Sequence, residues 1–508
     1  MANPLFDILF GQHRENDAIF LQQPDGHTLT YRAFLAMTAQ YAGLLTDLDL
    51  TAGDRVAVQI AKSPQALAVY AACAQAGLVF LPLNTAYTAD EVSYFVENSG
   101  AAILICDPEQ QEALTPIARR CSTKLETLDA DGSGTFASKA APLPITFGTV
   151  SRTEDDLAAF LYTSGTTGRS KGAMLSQRNL LSNAQVLHTE WRFTDNDVLL
   201  HALPIFHTHG LFVATNVTLL AGSRMIFLPK FDVDHVVNGM PNATVMMGVP
   251  TFYTRLLGDT RFTKYLTQHM RLFVSGSAPL LAETHILFEQ RTGHRILERY
   301  GMTETNMNTS NPYDGERRAG TVGCPLPEIE LKITDSNTGQ TLPQGEIGEI
   351  EVRGPNVFQG YWKMPEKTAE ELRADGFFIT GDLGQIDADG YLSIVGRNKD
   401  LIISGGYNIY PKEIELLLDA QEGVHESAVI GVPHPDFGET VLAILVAMPN
   451  QIPDLNLIQE NTAKSLARFK HPQKLILVSE LPRNTMGKVQ KNFLREEFGD
   501  MFNRQKAT

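Results

Sequence analysis

A chain of 508 residues is too long to bury around a single hydrophobic core, so it predicts more than one domain. Hydrophobic residues make up 43% and charged residues 20%, a globular balance that excludes a mainly disordered or fibrous protein. The formal net charge of −16 argues against general binding to nucleic acid or to anionic membranes, because both roles need a cationic face.

The cysteines and the apolar stretches indicate a cytoplasmic protein. Four cysteines without metal-ligand spacing are too few for a disulfide framework in a chain of this size, so we expect reduced thiols. The start of the chain does not have the pattern of a signal peptide. The most apolar stretches contain polar residues and are typical of core elements, not of membrane spans.

From Asp54 to Cys106, short apolar runs alternate with helical segments, which predicts βαβ units and a largely parallel sheet. The expected strands are Val56–Ile60, Leu78–Leu83 and Ala101–Cys106, and the expected helices are Pro64–Ala76 and Asp90–Asn98. Small and polar residues over 131–152 predict a surface connection, followed by a second α/β region over 157–326.

Glycine turns and short strands over 327–382 predict a β-rich subdomain. From about Lys399 a new balance of strands and helices predicts a small independent domain. Its expected helices are Lys412–Asp419 and Leu457–Ala467, and its expected strands are Ser427–Val432 and Val441–Ala447.

The strongest motif is Tyr162-Thr-Ser-Gly-Thr-Thr-Gly-Arg-Ser-Lys-Gly172, which follows an apolar strand and precedes a helix near Ser176. Its glycines allow close backbone approach, and its hydroxyls and N–H groups can surround phosphate oxygens. It is not a Walker A loop, because a glycine follows the lysine. A phosphate loop is favoured over a flexible surface loop; its residues are Thr163, Ser164, Gly165, Thr166, Thr167, Gly168 and Lys171.

Three weaker motifs follow along the chain. In Tyr300-Gly-Met-Thr-Glu-Thr305, Glu304 could provide an oxygen ligand for Mg²⁺, and the Tyr300 ring could stack on the adenine. The nearby segment Ser275-Gly-Ser-Ala-Pro279 is a turn of small residues. In Ile379-Thr-Gly-Asp382, the Asp382 carboxylate can accept hydrogen bonds from the ribose hydroxyls. Taken alone, this segment would be interpreted as a hairpin turn. Lys488, on a glycine turn, would alone be taken as a solvated surface residue.

In this order and at these separations, the four motifs resemble the superfamily of acyl-CoA synthetases, peptide-synthetase adenylation domains and luciferases over essentially the whole chain. The resemblance implies an α/β fold with a large N-terminal domain of αβ-layered subdomains plus a β-rich subdomain, residues 1–397. It also implies a small mobile α+β C-terminal domain, residues 398–508, with the hinge near Lys399.

The resemblance further implies the site residues and the cofactors. Lys488, Thr303, Glu304 and His207 would be catalytic, with Glu304 at the metal and His207 as the gate to the CoA tunnel. ATP would also contact a set of residues around the two glycine turns and the ribose: Ser277, Ala278, Pro279, Arg299, Tyr300, Gly301, Met302, Asp382 and Arg397. ATP, Mg²⁺ and coenzyme A are the expected cofactors and co-substrates.

The pocket, not the shared motifs, selects the acid. In relatives it is lined by segments that here contain Arg255, His209 and Ser277, and an arginine and a histidine suggest a second carboxylate on the substrate. Alternatively, Arg255 lies on an exposed helix face without a binding role, and His209 packs in the core. The run Glu298–Gly315 resembles malonyl-CoA synthetases, which implies malonate, with methylmalonate as a second substrate because one methyl group discriminates weakly.

Other functions stay open at this point. They are a ligase for a medium-chain or aromatic monocarboxylic acid, an adenylation domain that loads a carrier protein, and a catalytically silent nucleotide-binding protein. Loss of the Lys488 charge would remove its function, so acetylation and deacetylation of this lysine are an expected control, with the corresponding enzymes as partners. No nucleic-acid or membrane partner is expected.

Overall fold

The computed structural model describes residues 2–163, 170–404, 407–434, 437–484 and 487–502. The chain divides into two compact units. The N-terminal unit comprises Met1–Glu330 and Val352–Phe378, and the C-terminal unit comprises Leu331–Glu351 and Ile379–Thr508. Within the described residues, no helix combines the length and apolar character that crossing a bilayer requires.

The N-terminal unit contains a six-stranded sheet. Its strands are β3 (Arg55–Gln59), β4 (Val79–Pro82), β5 (Ile103–Cys106), β6 (Lys124–Thr127), β7 (Leu157–Thr163) and β8 (Lys171–Ser176). The order is β6-β5-β3-β4-β7-β8, and every neighbouring pair is parallel except β7 with β8. The helices of this part of the chain are α2 (Tyr31–Asp47), α3 (Pro64–Ala76), α4 (Ala89–Ser99), α5 (Gln111–Arg120) and α6 (Thr135–Ala140).

A nine-stranded sheet forms the second layer system of the same unit. Its strands are β1 (Ile19–Gln22), β2 (Thr28–Thr30), β9 (Val198–His201), β10 (Arg224–Phe227), β11 (Val245–Gly248), β12 (Leu272–Ser275), β13 (Leu297–Met302), β14 (Asn306–Ser310) and β15 (Cys324–Pro325). The order is β15-β14-β13-β12-β11-β9-β10-β1-β2. The remaining helices are α1 (Pro4–Leu9), α7 (Gln177–Glu190), α8 (Asn216–Ala221), α9 (Val233–Gly239), α10 (Pro250–Leu257), α11 (Lys264–Thr267), α12 (Ala282–Thr292) and α13 (Pro365–Glu371), with a π-helical segment at His209–Thr215.

Local sequence signals explain where the helices begin and end. The Ser63 side chain caps α3 by accepting from the Ala66 N–H, and Pro64 occupies the first turn, where its missing N–H costs nothing. Thr88 and Glu91 form a capping box at the start of α4. The parallel core of the six-stranded sheet is buried on both faces, as the uninterrupted apolar runs predict.

The C-terminal unit contains two smaller sheets. The first has the order β16-β17-β18-β19, with strands β16 (Glu330–Thr334), β17 (Gly348–Arg353), β18 (Phe378–Ile386) and β19 (Leu392–Arg397). The second has five strands: β20 (Ile402–Ser404), β21 (Tyr407–Ile409), β22 (Val424–His434), β23 (Gly438–Ala447) and β24 (Lys474–Val478). Its helices are α14 (Pro411–Asp419), α15 (Leu455–Ser465) and α16 (Lys491–Phe498).

The elements predicted from periodicity are present within a few residues of their expected bounds. The prediction of a surface connection over 131–152 was incomplete, because this segment contains the short helix α6. Phe136 of this helix is fully buried and contacts the Tyr41 ring at 5.0 Å between centroids, so tertiary packing stabilises a segment of weak periodicity. The sheet β16-β17-β18-β19, which corresponds to the predicted β-rich subdomain, lies mainly in the C-terminal compact unit. The domain boundary predicted between residues 397 and 398 marks where the small C-terminal domain would move as a body, and it stays a prediction.

Candidate active site

The predicted phosphate loop leaves and rejoins one edge of the six-stranded sheet. Strands β7 and β8 are antiparallel, and Thr163 pairs with Lys171 in their register. The loop residues Ser164, Gly165, Thr166, Thr167 and Gly168 lie outside the described residues, so their roles stay predictions. Ser176 caps α7 through a capping box with Asn179, so the predicted helix start is confirmed.

Five residues around the base of this loop form what we term the lysine–glutamate cluster: Thr163, Lys171, Glu304, Tyr361 and Glu371. The ammonium nitrogen of Lys171 lies 3.1 and 3.2 Å from the two Glu371 carboxylate oxygens and 4.2 Å from the centre of the Tyr361 ring. The Tyr361 hydroxyl contacts Glu371 Oε2 at 2.6 Å and Glu304 Oε1 at 3.0 Å. The Thr163 hydroxyl lies 3.4 Å from Glu304 Oε1. Each buried charge in this cluster therefore has an opposite charge or a hydroxyl beside it.

The two carboxyl groups of the cluster respond differently to this environment. Burial raises the pKa of Glu304, although the Lys171 charge and the Tyr361 hydroxyl oppose the rise. Burial also acts to raise the pKa of Glu371, but hydrogen bonds from Tyr361 and Lys367 and the nearby Lys171 hold it below its ordinary value. Glu371 is thus the ionised partner of Lys171. Neither Glu371 nor Tyr361 was among the residues predicted from the motifs.

The segments Ser275–Pro279 and Tyr300–Thr305 both begin on strands of the nine-stranded sheet, β12 and β13. The segment Thr303–Thr305 is a hairpin turn between β13 and β14. A Cβ atom on Gly301 would lie 1.8 Å from the Asn306 carbonyl oxygen, so only glycine fits this position. Thr303 and His207 line the same small cavity, as predicted for two residues of one site.

A second group of polar residues, the histidine–arginine cluster, comprises His201, His207, His209, Ser277 and Arg299. Arg299 lies on β13 and is only 3% exposed. Its guanidinium lies flat against Gly276, where a Cβ atom would approach the guanidinium carbon to 2.3 Å. Among the described residues, its Nε and Nη2 atoms have no hydrogen-bond partner. Burial lowers the pKa of Arg299 to about 9, while Tyr253 and Glu298 act in the opposite direction.

The histidines of this cluster are held neutral. Burial, followed by the charge of Arg299, lowers the pKa of His209 well below its ordinary value, and burial lowers that of His207 to about 4. His209 Nδ1 lies 3.2 Å from the Ser277 hydroxyl. Ser277 has a backbone φ of 72°, in the left-handed region that costs a non-glycine residue free energy. The strained Ser277 and the neutral His209 are therefore in contact, and the charge of the buried Arg299 acts on His209.

Arg255 lies on the exposed face of α10, and no hydrogen bond or ion pair joins it to the described residues. Burial thus gives no support to its predicted role as the carboxylate anchor, which stays a prediction. Arg299, predicted to contact the nucleotide, is the buried arginine instead. Of the other predicted contacts, Tyr300 is buried, Ala278 and Met302 are half-buried, and Pro279 is exposed.

The C-terminal unit brings its own predicted residues together. Asp382 and Arg397 are opposite each other on β18 and β19 and form an ion pair of 3.1 Å. Burial lowers the pKa of Lys488 to about 8; Arg397 and Lys399 lower it as well, whereas Asp382 raises it. These four residues are therefore electrostatic neighbours. Lys488 is half-buried, so acetylation at this position rests on the sequence argument alone.

Comparison with known proteins identifies the family. The model of the AMP-binding enzyme family matches residues 11–362, and that of the AMP-binding enzyme C-terminal domain matches residues 413–488. The chain belongs to the AMP-binding enzyme family. As an AMP-forming acyl-CoA synthetase of this family, it has the acyl-CoA synthetase-like fold that the motifs predicted.

Relatives within this family differ in the acid that they activate. ATP-bound MatB from Rhodopseudomonas palustris is 55% identical, with a TM-score of 0.97 over 98% of this chain and 100% of that one. A malonate–CoA ligase of Arabidopsis thaliana is 36% identical over 83% of this chain and 74% of its own length. A long-chain-fatty-acid–CoA ligase of Bacillus subtilis is 32% identical over 93% and 90%.

Proposed function

We propose that this protein is a malonate:CoA ligase (AMP-forming), which converts malonate, ATP and CoA to malonyl-CoA, AMP and pyrophosphate. The observation that carries the proposal is the guanidinium of Arg299, buried beside His209 with two nitrogen atoms unpartnered among the described residues. A buried cation of this kind is costly unless an anion reaches it. The second carboxylate of malonate supplies that anion, and the similarity to malonate–CoA ligases supports the same choice.

The reaction needs two steps because a carboxylate is a poor electrophile for a thiol. First, one malonate oxygen attacks the α-phosphorus of ATP, the bond to the bridging oxygen breaks, and pyrophosphate leaves. Second, the CoA thiol loses its proton and attacks the carbonyl carbon, the bond to AMP breaks, and the thioester forms. The first step brings two anions together, so cations must offset their repulsion.

Four of the predicted residues have a role in the first step in this proposal. Lys171, held at the base of the phosphate loop, moves from Glu371 to the triphosphate, and Lys488 stabilises the charge that develops on the reacting phosphate. Asp382 and Arg397 hold the ribose. Methylmalonate is accepted as a second substrate, since a single methyl group changes binding by about 1–3 kcal/mol.

Mg²⁺ fits the lysine–glutamate cluster as a partner of bound ATP. Within the part of the chain that the structure describes, no three His, Cys, Asp or Glu side chains are grouped so as to hold a metal ion. Mg²⁺ commonly binds one or two carboxylates together with substrate phosphates, and the buried Glu304 carboxylate with the Thr163 hydroxyl offers that arrangement. When bound, the ion neutralises phosphate charge.

The test is pyrophosphate release with malonate, hexanoate and 4-coumarate, each with ATP and CoA. Malonate is expected to give the highest kcat/KM by several orders of magnitude. A preference for hexanoate or 4-coumarate would overturn the diacid assignment and favour the monocarboxylate ligase. Transfer to a carrier protein but not to CoA would indicate an adenylation domain, and no adenylate at all would indicate a silent nucleotide-binding protein.

Lys488→Ala separates the two steps. Because the lysine is proposed to serve adenylate formation alone, this variant should lose malonyl-adenylate formation yet still make malonyl-CoA from supplied malonyl-AMP. Equal loss of both half-reactions would contradict this role. Quenched-flow measurement of each half-reaction distinguishes the outcomes.

A further inference from the structure

Lys62, in the loop between β3 and α3, carries an enclosed ammonium group that no motif accounts for. The ammonium nitrogen lies 2.9 Å from His201 Nδ1 and 2.9 Å from the His201 carbonyl oxygen, and 4.3 Å from the centre of the Phe227 ring. No carboxylate lies within ion-pair distance of it among the residues the structure describes. Enclosing an amine in this way is costly, so a role beyond surface solvation is expected.

His201 passes this contact on to the backbone of the π-helical segment. Its Nε2 atom lies 2.9 Å from the Gly210 carbonyl oxygen, which can only accept, so Nε2 carries the proton and Nδ1 accepts from Lys62. The Thr215 hydroxyl donates to the same carbonyl at 2.9 Å. The Gly210 carbonyl is therefore held by two side chains.

The backbone at Gly210 has little room to shift. A Cβ atom there would lie 2.0 Å from the Pro204 carbonyl oxygen, so the start of the π-helical segment packs directly on the chain that leads to His207. His209, the residue before Gly210, reaches Ser277. π-Helical turns occur frequently at functional sites. Fixing the Gly210 carbonyl thus fixes His209 and His207.

We propose that Lys62 and His201 are a positioning pair for the acyl pocket. Lys62 orients the His201 ring, His201 holds the Gly210 carbonyl, and this contact sets His209 against Ser277 and Arg299. The pair acts through the backbone and does not touch the substrate. This inference rests on the proposed function. It adds that binding of the acid depends on Lys62, a lysine outside every family motif named above.

The test compares His201→Phe with His201→Gln in steady-state kinetics. Phenylalanine removes both ring nitrogens, whereas glutamine keeps one donor for Gly210 and one acceptor for Lys62. His201→Phe and Lys62→Met should each raise the KM for malonate about tenfold, the factor for a lost buried hydrogen bond to a charged group, with the KM for ATP unchanged. His201→Gln should recover most of the loss.

Two controls complete the design. Lys230→Met removes an exposed lysine three residues after the end of β10 and should behave as wild type. Thr215→Val removes the other hydrogen bond to Gly210 and should raise the KM for malonate less than His201→Phe does. If both His201 variants match wild type, or if the KM values for ATP and malonate rise together, the positioning role is wrong.

Failure of this inference is distinguishable from failure of the proposed function. The wild-type acid preference tests the function, and each variant is compared with wild type on whichever acid wild type prefers. Should Lys62→Met fail to fold, as judged by circular dichroism, the two His201 variants and Thr215→Val still decide the outcome.

Discussion

The lysine–glutamate cluster and the histidine–arginine cluster both bury charge in the N-terminal unit, but they balance it differently. Lys171 is paired with Glu371, whose other partners are the Tyr361 hydroxyl and Lys367. Arg299 has no carboxylate in ion-pair contact among the described residues, and the histidines around it are neutral. The first cluster is complete by itself, whereas the second gains a partner only when an anion enters. This difference indicates which side of the site selects the acid.

The largest expected effect comes from Arg299→Met. If Arg299 binds the second carboxylate, the variant should lose at least about a hundredfold in kcat/KM for malonate, as expected for truncating one partner of a buried charge pair. The KM for ATP should stay within error of wild type. A raised KM for ATP with unchanged malonate kinetics would restore the nucleotide role predicted from the sequence.

Lys171→Met tests the role of the lysine–glutamate cluster. The variant removes the cation of the lysine–glutamate cluster and should raise the KM for ATP about tenfold while sparing malonate. It should also lower the melting temperature, because the half-buried Glu371 loses one of its two cationic partners and keeps only Lys367 at 3.0 Å. In Lys171→Met/Glu371→Gln, stability should recover and the KM for ATP should not. Recovery of both would show that Lys171 acts only in the fold.

Arg255→Ala gives a smaller effect. If the exposed Arg255 attracts the anionic substrate, it does so through screened charge, so the KM for malonate should rise about threefold, with the rise disappearing at high salt. A loss as large as that of Arg299→Met would identify Arg255 as the main anchor after all. Kinetics at two ionic strengths separate these outcomes.

The smallest effect concerns the pH dependence of stability. The pKa of His207 is lowered from 6.5 to about 4 by burial, so between these values the unfolded chain binds a proton that the folded chain does not. The free energy of unfolding should therefore be unaffected by His207 above pH 6.5 and decrease as the pH falls through this window. His207→Gln should flatten that decrease in urea titrations. An identical slope in both proteins would contradict neutral burial of His207.

The sequence predicted the strands, the helices and the glycine turns because each depends on local periodicity or on a backbone position that only glycine fits. Thr163, Lys171 and Glu304 meet as the motifs implied. Glu371 was missed because its contact with Lys171 joins residues 200 positions apart, and nothing local marks it.

The exposure of Arg255 could have been predicted from the pattern of its helix. Pro250, Tyr253 and Leu256 are the buried positions of α10, and Arg255 falls on the exposed face at helical spacing. Successive residues on a strand point to opposite faces, so the Arg299 and Tyr300 side chains on β13 lie on opposite faces of the sheet. The nucleotide contacts that the resemblance implied for both residues stay predictions.

The most direct test of the central claim is the kcat/KM ratio for malonate over propanoate, an acid of similar size without the second carboxylate, in wild type and in Arg299→Met. A site built around the second anion should give a ratio of about 10⁴ in wild type. The ratio should collapse in the variant. A wild-type ratio near one, or a large ratio that survives in Arg299→Met, would contradict the account.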